Sequence, residues 1–267
     1  MNALTVARKE LVDSRRSALF WVLAAVVALY AVPTTVRFPL RVFGEASLER
    51  RTTVLLLTAS RAVAFAALLV GSLTVVGERE SGSLRVLLGS GARRRDVIVG
   101  KTLGRGSLLA GVVVLGLAPL VAATYYRLGA ISVPKAVHVT TLTVLLGLAY
   151  FGIAVGFSTA LSTRLRAVAA SFGAFVLFTE FWERLAVRPA YRLVFGREPM
   201  DSELQFALTQ RPHFQDYVQV VSPSNAYDSA NYFYGTLDWF AVGMLLFWFV
   251  APIAASYAYF RRQDIER

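Results

Sequence analysis

The sequence predicts an all-α integral membrane protein with six transmembrane helices, and three observations lead to this prediction. Hydrophobic residues make up 56% of the 267 residues and charged residues only 17%, whereas a soluble domain usually carries about 25% charged residues. The mean hydropathy is +0.54. The apolar residues also cluster in runs of about 20 residues, the length of a helix that crosses a bilayer core.

Six apolar runs define the spans of a single transmembrane domain over residues 1–267. They lie at 18–36, 53–76, 107–126, 137–160, 167–182 and 239–259. The fifth run is the shortest, so it either extends through Val187 or turns back before crossing. Aromatic rings near the run ends, such as Trp21 and Trp239, suit the membrane interface.

A short segment before the first run, residues 2–16, has the pattern of an amphipathic helix on the membrane surface. Leu4, Ala7 and Leu11 recur at helical spacing, and basic residues surround them. Such a helix lies in the plane of the interface with its apolar side toward the lipid.

The distribution of basic residues predicts that both termini are cytoplasmic and that the chain lies in the cell membrane. With the N-terminus inside, the cytoplasmic segments hold sixteen lysines and arginines, and the external connections hold eleven over a greater length. An excess of basic residues on the inner side is the bias that orients membrane proteins. We therefore assign the net charge of +11 to orientation and to contact with anionic lipids, and nucleic acid is not an expected partner.

The external connection 183–238 is predicted to form a helical cap before the last span. Four prolines divide it into short pieces: Pro189, Pro199, Pro212 and Pro223. Asp201 is a candidate N-cap for a helix over 202–210, and Ser222-Pro223 can open another helix because proline suits a first helical turn.

The inner connection 77–106 is polar and basic and carries a short predicted helix. Ser81 or Ser83 can cap this helix, and Gly89 and Gly91 would end it. Three leucines give it an apolar surface: Leu84, Leu87 and Leu88. A short apolar helix that projects from two spans suits the docking of a partner; the alternative is a solvated loop that only sets topology.

The order of residues in this loop carries a family resemblance. It reads Glu78-Arg79-Glu80-Ser81-Gly82, Leu84, Leu87-Leu88, an arginine pair, Asp96 and Gly100-Lys101. This series is similar to the inner loop of type-2 ABC transporter permeases. Three further segments resemble the corresponding parts of that family: Arg8-Lys9-Glu10-Leu11, Ser222-Pro223 and the tail from Phe260 to Asp264.

The resemblance implies a six-span permease that forms a substrate pathway and is not itself an enzyme. The 77–106 loop would contain the coupling helix that docks a separate ABC ATPase subunit, which uses ATP and Mg²⁺, and this chain would bind no cofactor. The other implied partners are a second permease copy or a related permease chain, and the lipid bilayer. The implied docking residues are Glu78, Glu80, Gly82, Leu84, Leu87, Leu88 and Arg94.

Two other classes of function can be weighed against the permease function. An intramembrane enzyme would need a nucleophile–base set or metal ligands at membrane depth, but the chain has no cysteine, and its two histidines, His138 and His213, are far apart. A non-transporting membrane anchor or assembly factor that docks a cytoplasmic partner through the same loop is the alternative function. Gly100-Lys101 does not belong to a phosphate-binding loop, because Arg95 stands where the first glycine would be.

Two charged residues fall inside the predicted spans, Arg61 in the second and Glu180 in the fifth. Counted from the inner ends, both lie roughly 20 Å deep, so they could meet and line a pathway. The alternative is that Arg61 extends toward the interface and Glu180 pairs with Arg184 one turn further on.

A stripe of small residues marks the fourth span. Gly152, Gly156 and Ala160 recur every four residues, a spacing that lets another helix approach closely. Packing within the chain is the simplest prediction for this stripe.

Overall fold

The computed structural model describes residues 5, 7–8, 11–12, 18–81, 94–197, 199, 214–232 and 236–262, with the backbone alone at 78–79, 81, 94–98, 232 and 260–262. Every regular element among them is helical. The described residues of the predicted N-terminal helix are helical, with Ala7 and Leu11 half-buried and their neighbours exposed; the other residues of 2–16 lie outside the described part.

The described helices account for six membrane spans if a bent fifth one is included. In chain order they are α1 Ala18–Arg37, α2 Leu48–Leu57, α3 Ser60–Ser72, α4 Val76–Ser81, α5 Arg94–Leu128, α6 Val133–Ala160, α7 Arg164–Val176, α8 Arg188–Phe195, α9 Phe214–Val220, α10 Pro223–Tyr232 and α11 Thr236–Arg262. A 3-10 turn, Leu40–Phe43, follows α1, and two π-helical segments, Leu177–Phe181 and Glu183–Val187, lie between α7 and α8. This confirms the predicted fold class.

Helix ends differ from the predicted run ends because hydropathy marks the apolar core of a span and not the ends of its helix. The second span, α2 with α3, begins at Leu48, five residues before the predicted run, because Ser47 caps a polar first turn by accepting a hydrogen bond from the Arg50 amide. The helix of the third span, α5, begins at Arg94, before the apolar part that starts at Val99.

The fourth span, α6, is the centre of the bundle. It packs against α3 on one side and α11 on the other, and its Tyr150 and Phe151 are fully buried. The predicted small-residue stripe faces α11: a Cβ atom on Gly152 would lie 2.5 Å from the Trp248 carbonyl oxygen, and one on Gly156 would lie 3.2 Å from Pro252 Cβ. Packing of the stripe within the chain is thus confirmed.

The fifth span is an unbroken run of helical residues from Arg164 to Phe195, but it is strongly bent. The helices before and after Trp182 differ in direction by 63°. Both π-helical segments adjoin this residue, and π-bulges are a recognised cause of sharp helix bends. The helix continues through Val187 and reaches Phe195 after the bend. A bend of this size agrees with either predicted course, a broken span or a segment that turns back before crossing, so both stay predictions.

The helices α9 and α10 form a hairpin that lies deeper than the external position predicted for this connection. At its start, the Ser224 hydroxyl is 2.7 Å from the Tyr150 hydroxyl, and Trp248 Nε1 donates to the Val221 carbonyl at 2.7 Å. Tyr150 is roughly 26 Å along α6 from Val133, and Trp248 is roughly 18 Å along α11. The hairpin tip thus lies near the middle of the spans; the helix predicted over 202–210 lies outside the described residues.

The two ends of the bundle can be told apart by their elements. One end carries α4 and the turn between α6 and α7, and we call it the basic end. The other end carries the open side of the α9–α10 hairpin, and we call it the hairpin end.

The contact between α6 and α11 predicts that Gly152→Val destabilises the fold. No side chain fits between Gly152 and the α11 backbone, so we expect a loss of about 1–3 kcal/mol, the usual cost of overpacking, seen as a lower unfolding temperature in lipid nanodiscs. Gly173→Ala is the control, because a Cβ there meets nothing within 4 Å; equal unfolding temperatures for the two variants would contradict the packing.

Candidate functional site

A break in the second span places Arg61 at membrane depth. The helix is interrupted at Thr58 and Ala59, where the Thr58 hydroxyl donates to the Leu55 carbonyl at 2.7 Å and lies 2.9 Å from the Thr35 hydroxyl. These bonds satisfy polar groups that an interrupted helix leaves open. Arg61 follows the break, roughly 20 Å from the start of the span and roughly 17 Å from its end.

Arg61 borders a polar cavity of about 130 Å³ between the spans and the hairpin. The second, fourth and fifth spans and α10 all contribute to its wall. The lining residues are Ser60, Arg61, Ala64, Leu146, Phe175, Thr179, Ser224, Asn225, Tyr227 and Asp228. The cavity is therefore lined by a charged residue from the second span, Arg61, and by one from the hairpin, Asp228.

The hairpin contributes its residues through hydrogen bonds that hold α10 in place. The Tyr227 hydroxyl is 2.7 Å from the Thr143 hydroxyl, and the Ser222 hydroxyl donates to the Phe178 carbonyl at 3.0 Å. With Ser224 fixed to the fourth span as well, the first two turns of α10 cannot shift without breaking bonds to two spans. Asp228 lies one helical turn after Ser224 and so faces the same cavity.

Arg61 and Asp228 carry opposite charges on one cavity but do not touch. Both residues are exposed, and within the described residues neither forms an ion pair or hydrogen bond. A charge near the middle of a membrane costs about 2.5–3.5 kcal/mol on insertion scales, so such groups normally mark a pathway or a site.

The predicted pathway pair of Arg61 and Glu180 is not joined in the described structure. Glu180 is exposed in the first π-helical segment, outside the cavity lining, and the described ion pairs include neither an Arg61–Glu180 nor a Glu180–Arg184 contact. A shared pathway role for Arg61 and Glu180 stays a prediction. Sequence reasoning missed Asp228 because it placed the whole hairpin segment outside the membrane; a charge six residues after Ser222 was the only available signal.

A second group of contacts fixes the base of the 77–106 loop at the basic end. Glu80 accepts a hydrogen bond from the Arg164 amide at 2.9 Å and forms an ion pair with its guanidinium at 2.8 Å. The same guanidinium donates to the Gly77 carbonyl at 3.0 Å, and the Ser158 hydroxyl accepts from the amides of Val75 and Val76. The loop thus begins from a point bound to both the fourth and fifth spans.

The predicted docking residues are described to different degrees. Glu80 is bound to Arg164 within the chain. Glu78 and Arg94 belong to helical backbone in α4 and α5, and their side chains are not described. Four predicted docking residues lie outside the described part: Gly82, Leu84, Leu87 and Leu88.

Comparison with known proteins identifies one relationship that covers the chain almost completely. The model of a family described as ABC-2 family transporter protein matches residues 4–265. A search of curated proteins gave no match. The family match includes all six spans, the 77–106 loop and the hairpin.

Proposed function

The chain belongs to the ABC-2 transporter family, and from this premise we propose that it is the permease subunit of an ATP-driven transporter that docks a separate ATPase through the 77–106 loop. The match over residues 4–265 carries the proposal. ATP and Mg²⁺ would be bound by the ATPase, and this chain would supply the passage through the membrane. A second permease copy or a related chain would complete the assembly.

In this proposal the basic end faces the cytoplasm together with both chain termini. The 77–106 loop, which carries seven of the lysines and arginines, would then extend toward the ATPase. The hairpin end would face the exterior. The excess of basic residues on the cytoplasmic side supports this orientation.

The bound base of the loop supports a route by which ATP could act on the passage. The docked loop would pull on Glu80 and Gly77, both of which contact Arg164 at the first residue of α7. The fifth span then continues as a helix to Phe175 and Thr179, which line the charged cavity. A displacement at the basic end would thus be carried along one helix, roughly 20 Å, to the cavity.

The docking hypothesis predicts that Leu84→Asp, Leu87→Asp and Leu88→Asp, introduced together, abolish capture of the ATPase. Charged side chains would replace the apolar surface that is expected to enter the groove of the partner. The measurement is affinity capture of the tagged chain from its native membranes, with identification of copurified ATPase subunits.

Leu193→Asp serves as the control for that experiment, because Leu193 is 85% exposed near the hairpin end, far from the loop. We expect this variant to capture the ATPase like the unaltered chain. If the unaltered chain captures no ATPase under conditions that keep complexes intact, the docking proposal is wrong, and the anchor function becomes the better explanation.

The contact between Glu80 and Arg164 makes a separate prediction about coupling. Glu80→Gln and Arg164→Gln should each reduce ATP-driven transport severalfold, because either change weakens the contact between the loop and the fifth span. ATPase capture should persist in Arg164→Gln, since Arg164 is not one of the implied docking residues. Stability should change little, since exposed ion pairs contribute about 0.2–1 kcal/mol. Transport is measured in vesicles reconstituted with the captured ATPase.

Glu183→Gln provides the matched control, because it removes another exposed ion pair, with Arg188 at 2.8 Å, away from the loop. Its transport rate should equal that of the unaltered chain. Unchanged transport in both Glu80→Gln and Arg164→Gln would contradict the coupling route.

A further inference from the structure

The charged cavity contains two charges that the protein itself leaves apart. Arg61 comes from the second span and Asp228 from α10, and within the described residues neither has an ion-pair or hydrogen-bond partner. Hydrogen bonds to the fourth and fifth spans hold α10 in place, so Asp228 cannot simply move to Arg61. The cavity therefore presents two opposite charges, one from a span and one from the hairpin, to whatever occupies it.

The uncharged polar groups of the lining are largely engaged elsewhere. The Thr179 hydroxyl donates to the Phe175 carbonyl at 2.8 Å, and the Asn225 amide nitrogen donates to the Gln219 carbonyl at 3.2 Å. Ser224 shares its hydrogen bond with the Tyr150 hydroxyl. Recognition of a ligand would thus depend mainly on the two charges, with the Ser60 hydroxyl and the Asn225 side-chain oxygen as additional polar groups.

The volume of the cavity limits the size of the ligand. About 130 Å³ is well above the roughly 10–15 Å³ that one water molecule needs. It is below the range of about 300–1,000 Å³ that is typical of sites for drug-sized molecules. The cavity suits a small polar molecule or the headgroup of a larger one.

The two charges also limit the chemistry of the ligand. An anion alone would pair with Arg61 and leave Asp228 unpaired, and a cation alone would do the reverse. An uncharged ligand would leave both without a partner in a region of low dielectric, where unpaired charges are costly. Only a group that carries both a positive and a negative charge can pair with both Arg61 and Asp228.

We propose that this cavity is a binding site for a small zwitterionic group, with its ammonium at Asp228 and its anionic part at Arg61. The inference rests on the proposed function in that it treats the bound group as cargo, or as the headgroup of a lipid cargo. Both sources share the same chemistry, an amine and an acidic group separated by a few bonds.

The test is calorimetric binding to the purified chain in nanodiscs of phosphatidylglycerol, which contains no zwitterion. The probes are O-phosphoethanolamine, ethanolamine and inorganic phosphate, in a non-zwitterionic buffer near neutral pH. We expect O-phosphoethanolamine to bind at least tenfold more tightly than either single ion. Equal binding of all three, or no binding of O-phosphoethanolamine, would overturn the proposal without any variant being needed.

Variants then test whether Arg61 and Asp228 are the residues that bind the two charged parts of the ligand. Arg61→Met and Asp228→Asn should each weaken binding of O-phosphoethanolamine at least tenfold, while Arg61→Lys and Asp228→Glu, which keep the charges, should retain most of it. Glu183→Gln and Arg188→Gln are matched controls, because they remove an acidic and a basic group outside the cavity. Unchanged affinity in Arg61→Met or Asp228→Asn would overturn the assignment.

A lipid arm distinguishes the two sources of the ligand. Native mass spectrometry of the chain from nanodiscs with equal phosphatidylethanolamine and phosphatidylglycerol should show retained phosphatidylethanolamine, lost in Asp228→Asn, if the cavity takes a lipid headgroup. Binding of the free probe without lipid retention indicates a soluble zwitterion. Because these measurements use the chain alone, the two proposals fail separately. Failed ATPase capture would refute the proposed function and the role of the ligand as cargo but leave the binding site standing. Failed zwitterion binding would refute the binding site and leave the proposed function standing.

Discussion

The hydrogen bonds at the tip of the α9–α10 hairpin are the interactions on which the rest of the structure depends. Backbone that does not span a membrane is tolerated at that depth only where protein satisfies its polar groups. Trp182 Nε1 donates to the Val218 carbonyl at 2.9 Å, and Trp248 Nε1 donates to the Val221 carbonyl. In return, the Ser222 hydroxyl donates to the Phe178 carbonyl in the π-helical part of the fifth span. The bent fifth span and the hairpin thus donate hydrogen bonds to each other's backbone carbonyl groups.

The hairpin in turn creates the charged cavity. With the hairpin outside the bundle, Arg61 would have no oppositely charged wall, and the break at Thr58 and Ala59 would expose an arginine toward lipid. With the hairpin inserted, Asp228 lies across the cavity from Arg61. The same fifth span that holds the hairpin begins at Arg164, which binds the base of the 77–106 loop. One bent helix therefore contacts both the expected site of ATPase docking and the proposed ligand site.

Features that depend on local sequence could be predicted, whereas those that depend on distant contacts could not. Apolar length alone reveals the spans, and the four-residue spacing of Gly152 and Gly156 predicts a close helix contact because it has the period of a helix face. The depth of the hairpin is different, because its helices are polar and short and enter the bundle only through partners such as Tyr150 and Trp248. Asp228 was missed for the same reason: nothing near it in sequence shows that Arg61 lies across a cavity. The docking surface at Leu84, Leu87 and Leu88 rests on family resemblance and lies outside the described residues.

We propose that the ATPase, acting at the 77–106 loop, changes the cavity through the fifth span. The chain has no cysteine, so Ser224→Cys places a single thiol at the cavity, and Ser132→Cys places one outside it. The decisive measurement is the labelling rate of each thiol by a polar maleimide, with the captured ATPase present, before and after addition of ATP and Mg²⁺. We expect ATP to change the labelling rate at position 224 severalfold and to leave the rate at position 132 unchanged. Equal rates at position 224 with and without ATP, in a complex that hydrolyses ATP, would contradict the proposal.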